Sequence, residues 1–340
     1  MKLRALVIAA TLTLSLAACS KEAEKTGPKV GDQDSISQVS PLTGTALERG
    51  APDNPVFVVK IDNTRASAPQ TGIDKADLVV EQTVEGGTTR LAVLYWTNLP
   101  AEVGHVRSMR ATDIGIAKPV NGQLAASGGA AVTITRIRNA DLKIHSQDSG
   151  STGFRRGPGH APYNVLLDLK ALAGTAHGDG PQRPYFDWAS AAHATASAPS
   201  ETPGATPSTS APEPKKASAV DVRFSGQHTT RWAFANGVWK RTNGTSQPEF
   251  GAQNLIVIHA PQRDAGYRDP AGNPVPETYF AGSGKFELFA GNTVTTGTWT
   301  KADVSSTITL KDENGQELKM PAGKTWIELV NDGIARTTIK

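Results

Sequence analysis

LVVEQTVEGGTTRLAVLYW, residues 78–96, decides how the chain folds. Residues 78–84 and 91–96 are short runs rich in Val and Leu, with aromatic residues at the end of the second. Glu85-Gly86-Gly87-Thr88-Thr89 stands between them. Such runs around a Gly-containing break predict two antiparallel strands joined by a tight connection. Side chains alternate across a strand, so Val79, Glu81, Thr83 and Glu85 fall on one face, and Leu78 and Val80 on the other. Two carboxylates four residues apart on a straight strand would lie roughly 13 Å apart, at ~3.3 Å per residue. That is too far to share a proton, although both could flank one pocket.

Outward from the hairpin, residues 56–61 and 123–127 read as further strands, and 109–118 and 130–139 as short helices. Asn164 is expected to cap a helix whose Leu166, Leu167, Leu169 and Leu172 follow at helical spacing. Residues 220–335 carry many short, turn-bounded apolar runs. Asn236-Gly237 and Asn314-Gly315 are hairpin punctuation, and Trp232, Trp239, Trp299 and Trp326 supply aromatic packing. The fold class expected is α+β: a mixed α/β N-terminal domain over 41–188, followed by a mainly antiparallel β C-terminal domain over 220–335. Each stretch is long enough to bury a core of its own. Residues 189–219, dominated by Ala, Ser, Thr and Pro, read as a linker. Residues 20–40, nearly devoid of apolar side chains, read as a tether.

The start of the chain carries a different message. Lys2 and Arg4 precede an apolar run of about thirteen residues, shorter than the ~20 needed to span a bilayer core. The run closes on Leu16-Ala17-Ala18-Cys19. A cationic head, an apolar middle and small residues before a cut mark a secretory signal over 1–19. The ending resembles a bacterial lipobox, in which the cysteine thiol takes a diacylglycerol and becomes the first mature residue. Cys19 is the only cysteine of the chain. Once lipidated, it leaves no thiol for catalysis, disulfides or metal binding. The partner it implies is membrane lipid, and the location a cell membrane, facing outside the cytoplasm. The formal net charge is +3 and falls to +1 when Lys2 and Arg4 leave with the signal. With no basic stripe, a nucleic-acid partner is not expected.

Three polar clusters could carry chemistry. The hairpin offers Glu81 and Glu85, with Arg90 at its return. GHVRSMRATD, residues 104–113, sets Arg107 and Arg110 beside an expected helix start. There they either hold an anion or satisfy acids such as Glu81, Glu85 or Asp77. FRRGPGHAPYN, residues 154–164, is a Gly- and Pro-rich loop holding His160, a candidate base. No histidine pair has metal-ligand spacing, so no metal is expected. Gly282-Ser283-Gly284-Lys285 lacks the Ser or Thr that should follow in a phosphate loop, and no cofactor is expected.

These stretches, in order, resemble the YerB-type lipoproteins that carry the DUF3048 domain and its C-terminal companion. The resemblance lies in PLTG at 41–44, VKIDN at 59–63, KADLVVEQTVEGGTTR at 75–90, GHVRSMR at 104–110 and the 154–164 loop. It continues in GKFELFAGNTVTTGTW at 284–299 and PAGKTWIEL at 321–329. The family commonly has Pro where His105 stands and His where Tyr163 stands, so the resemblance implies no catalytic imidazole at either position. It implies location and architecture, and brings no established activity. The reading favoured is a membrane-anchored protein that binds a polar or anionic cell-envelope ligand. Asp62, Asn63, Glu81, Glu85, Arg90, Arg107, Arg110 and Asn164 would do so, being donors and acceptors without an evident nucleophile. The alternative is an extracytoplasmic hydrolase or transferase, with Glu81, Glu85 or His160 as acid or base.

Overall fold

The 78–96 hairpin is real, with strands Leu78–Thr83 and Thr89–Tyr95 paired antiparallel. Gly86 and Gly87 both hold positive φ in the turn, a conformation that costs glycine nothing. The protein is described here from a computed structural model over residues 38–189 and 215–340. Cys19, most of the tether and most of the linker lie outside the described residues.

Strands hold 42% of the described residues and helices 11%, so the described part is mainly β. The expected mixed α/β character of the first stretch reduces to three short helices: Asp113–Ala117, Ala131–Asn139 and Leu169–Ala173. The helix expected over 109–118 is shortened because its first residues are drawn into loop pairing. The Arg107 amide donates to the Lys60 carbonyl at 2.8 Å, and the Met109 amide to the Gly128 carbonyl at 3.0 Å. Asn164 caps no helix. Val165–Leu167 is a strand, and Asp168 caps the helix that follows, its carboxylate accepting from the Ala171 amide at 3.0 Å. The Asn164 amide instead ties its own loop to the Gly157 and Gly159 carbonyls, while its oxygen accepts from Arg156.

The two stretches do not keep separate sheets. One 11-stranded sheet runs through both. On the first-stretch side it holds Leu78–Thr83, Thr89–Tyr95, Phe57–Asp62, Gln123–Ala126 and Ile144–Ser146, in that spatial order. On the other side of Leu78–Thr83 come Thr325–Asn331, Asn254–Ala260, Gly282–Ala290 and Thr293–Lys301, then two short edge strands. The seam is the parallel pairing of Leu78–Thr83 with Thr325–Asn331, which sets Glu81 directly beside Glu328. Residues 38–189 and 215–340 fall in one compact unit.

Both faces of this sheet are covered, so its central strands are apolar on both sides. One face carries Val79, Val93, Val257 and Trp326. It packs under a four-stranded antiparallel sheet built from Ala219–Arg223, Thr229–Ala235, Val238–Arg241 and Arg336–Ile339, and under the Leu169–Ala173 helix. The other face carries Leu78, Val80, Ile256 and Ile327. It packs against Ile116 and Ile137 from the other two helices, and against Tyr185 and Phe186. Each fully buried Val, Leu, Ile or Phe is worth about 1.5–3 kcal/mol. The four-stranded sheet owes its sharpest turn to Asn236-Gly237, both at positive φ, as the sequence predicts. Its Trp232 meets Trp326 edge-on, ring centroids 5.1 Å apart.

Candidate functional site

Alternation along Leu78–Thr83 and Thr325–Asn331 aims Glu81 and Glu328 out of the main sheet, toward the four-stranded one. Both are fully buried. The Glu81 Oε1 atom is crowded with donors: His228 Nε2 at 2.7 Å, Thr89 Oγ1 at 2.7 Å, Thr230 Oγ1 at 2.9 Å and Asn63 Nδ2 at 3.0 Å. Glu328 Oε1 accepts from Trp232 Nε1 at 2.6 Å. The second oxygen of each carboxyl has no partner among the described residues. Glu81 and Glu328 stand at directly paired positions on strands about 4.8 Å apart, where two ionised carboxyls would repel and one retained proton relieves the repulsion.

The charges agree with this. Burial, reinforced by the Glu81 charge, pushes the Glu328 carboxyl well above the ordinary glutamate range. Burial acts on Glu81 in the same sense, but the His228 hydrogen bond and charge, with Arg241 behind, outweigh it and hold Glu81 low. His228 answers in kind. Burial would lower it, yet the hydrogen bond and charge of Glu81 raise it above the usual imidazole value. Of the three, Glu328 is held toward its neutral form, Glu81 toward the carboxylate and His228 toward the imidazolium.

Above this stack lies a cleft of about 290 Å³ between Asn63–Arg65 and the segments at 227–231 and 241–245. Arg65, Arg231, Arg241 and His228 line it together with amides, hydroxyls and a glycine, and no carboxylate does. Asn63 is locked at both ends, since Arg241 Nη1 donates to its oxygen at 2.9 Å. Arg241 also donates to Glu249 at 2.8 Å and to Ser246 at 3.0 Å, and its guanidinium lies 4.6 Å from the Trp326 ring.

The remaining expected residues gather in a second polar cluster. Arg107 Nε donates to Asp62 at 2.9 Å and lies over the Tyr163 ring. Arg110 forks onto Glu85, one bond being 2.8 Å long. Arg90 donates to the Ser108 carbonyl, and burial, aided by the Arg110 charge, brings it down to about 10. Beneath, Lys60 reaches Asp113 at 2.6 Å, and burial lowers it to about 8 despite that carboxylate. Arg107 and Arg110 are thus spoken for by acids. His160 is exposed, and the structure uses its carbonyl, which accepts from the Tyr163 amide. Among the described residues no group of three His, Cys, Asp or Glu could hold a metal ion.

Of the expected site residues, only Asn63 and Glu81 belong to the cleft stack. Asp62, Glu85, Arg90, Arg107 and Arg110 form the second cluster, and Asn164 serves its own loop. His228, Thr230, Arg241 and Glu328 were missed. One sequence signal pointed to Glu328: an acid inside the apolar run TWIELV, matching Glu81 inside LVVEQT. Acids are almost never fully buried without a partner.

Residues 42–182 match the family described as "Protein of unknown function (DUF3048) N-terminal domain", and residues 220–327 match its C-terminal domain. "Putative lipoprotein YerB" of Bacillus subtilis (strain 168) is 37% identical over 71 residues, 21% of this chain and 22% of that protein's length. The crystal structure of the YerB protein from Bacillus subtilis superposes with a TM-score of 0.70 at 18% identity, covering 88% of this chain and 99% of that one. That likeness is one of fold. By its order of matched segments and by its architecture, the chain belongs to the DUF3048 family.

Proposed function

We propose that this protein is a lipid-anchored, extracytoplasmic lipoprotein whose folded part binds a polar, anionic component of the cell envelope in the cleft beside His228. The lipobox-like Leu16-Ala17-Ala18-Cys19 supports the anchor, as does the lipoprotein name of the Bacillus relative. One observation carries the binding: no acid lines the cleft, while Arg65 and Arg231, which meet no acid among the described residues, share its wall with Arg241 and His228, whose charges face Glu249 and Glu81. A surface with both signs mixed would steer nothing, whereas this wall attracts oxyanions. A hydrolase using Glu81 or Glu85 would need a carboxylate within reach of its substrate. Glu81 is fully buried and Glu85 is held by Arg110, so recognition is the better reading.

The mature protein, immobilised and exposed to fractionated envelope, should retain an anionic fraction. Retention should weaken with added salt, as exposed charge–charge attraction does. The double substitution Arg65→Ala, Arg231→Ala removes two cations from the rim and should cost at least about tenfold in affinity, or ~1.4 kcal/mol. Undiminished retention by the double variant would remove the cleft from consideration.

A further inference from the structure

The ring of His228 has two nitrogens and the protein uses one. Nε2 is taken by Glu81, with Thr89 and Thr230 oxygens each 3.1 Å away. Nδ1 has no hydrogen-bond partner among the described residues, although the ring forms part of the cleft wall and its side chain is 21% exposed. A histidine anchored through one nitrogen to a buried carboxylate presents the other as a fixed donor.

The surroundings favour the protonated ring. Glu81 faces the ring from Leu78–Thr83, and Glu328 backs Glu81 from Thr325–Asn331. Arg241 faces it from the Val238–Arg241 strand, its own charge met by Glu249. Arg65 and Arg231 share the cleft, and Phe224 packs edge-on against the imidazole with centroids 5.8 Å apart. If His228 were neutral, Glu81 would remain a buried carboxylate with only neutral donors at contact distance, which is costly.

We propose that His228 is the ligand-anchoring residue of this cleft, its Nδ1–H donating to a carboxylate or phosphate oxygen of a non-aromatic, hydroxyl-rich ligand. This rests on the cleft being the binding site. The ligand class follows from the wall. Apart from the imidazole it offers no ring on which a base could stack, while the Gln227 side chain has no hydrogen-bond partner among the described residues, and Thr64 and Thr245, which donate to Asp62 and Gln70, keep oxygen lone pairs that can accept from hydroxyls. At about 290 Å³ the cleft lies at the low end of small-molecule pockets, which run roughly 300–1,000 Å³, a size that suits one charged unit.

Because the anion prefers the protonated ring, binding takes up a proton and weakens as pH rises through the raised His228 titration. The test is an NMR titration of the His228 Cε1–H signal in the mature protein. The probes are N-acetylmuramic acid as the carboxylate, glycerol 1-phosphate as the phosphate and N-acetylglucosamine as the uncharged control. At least one charged probe should move the His228 midpoint upward and the control should not; which one does so identifies the oxyanion. His228→Gln keeps a donor for Glu81 but no charge. It should bind that probe about tenfold more weakly, with the pH dependence gone, and its amide spectrum reports whether the fold is intact. Equal affinity in the wild type and a folded His228→Gln overturns the inference and leaves the cleft standing. So does binding that leaves the midpoint unmoved. If the His228→Gln substitution disrupts the fold, the wild-type midpoint alone decides. Failure of both charged probes to bind the wild type overturns the inference; if the envelope fraction is still retained, the cleft reading survives it.

Discussion

Glu328 shows how one residue's cost is tied to its neighbour's. Its carboxyl is pushed toward the protonated form in the folded protein because burial and the adjacent Glu81 charge oppose ionisation. The unfolded chain has no such constraint and ionises near 4.3. Above that pH the folded state binds more protons than the unfolded one at this site, so its contribution to stability falls as pH rises. Glu328→Gln should remove that penalty. The Gln oxygen still accepts from Trp232 and its NH₂ can serve the orphaned Glu81 oxygen. Thermal melts of wild type and variant should therefore differ more at pH 8 than at pH 5, with the variant gaining at the higher pH. A variant less stable at pH 8 by about 1–3 kcal/mol, the cost of a lost buried hydrogen bond, would show that no proton is shared between the two acids.

At the scale of elements, local pattern was readable and long-range pairing was not. The hairpin at 78–96, the Ala131–Asn139 helix and the Asn236-Gly237 turn are fixed by neighbours in sequence, so periodicity and turn residues reveal them. Asn164 misled because Leu166, Leu167 and Leu169 fit a helix face and a buried strand equally well. A short apolar run cannot be assigned by period alone. The seam between Leu78–Thr83 and Thr325–Asn331 leaves no local trace at all, and the site needs that seam, since Glu81 comes from one stretch and His228 from the other. Lys301 makes a second stitch, its ammonium donating to the carbonyls of Gly115, Phe280 and Val304. The structure therefore predicts that 38–189 and 215–340, made as separate polypeptides, will each lack stable tertiary structure. Alone, the first leaves Leu78–Thr83 as an open, apolar sheet edge, a template for aggregation. Mixed, they should recover near-ultraviolet circular dichroism and elute together. A cooperative melt by the first fragment alone would mean that the seam is incidental to its folding.

At the scale of the whole molecule, the lipoprotein reading has to say what would hold the protein at a membrane. No helix among the described residues is long and apolar enough to cross one. The formal net charge is +3, or +1 without Lys2 and Arg4, and each cation of a polybasic patch near an anionic surface would add about 1 kcal/mol. Under the lipoprotein reading proposed above, attachment would rest on lipid at Cys19. Each buried acyl CH₂ contributes about 0.8 kcal/mol, so two or three chains anchor firmly where one is marginal. Cys19→Ser removes the sulfur that would carry them and leaves residues 20–340 unchanged. Expressed in its host, wild type should sediment with membranes and stay there in high salt, whereas Cys19→Ser should appear in the soluble extracytoplasmic fraction or persist as uncleaved precursor. Mass spectrometry of the wild-type N-terminus should find Cys19 first and acylated. A Cys19→Ser variant processed normally and still resisting salt extraction would place the anchor elsewhere in the molecule.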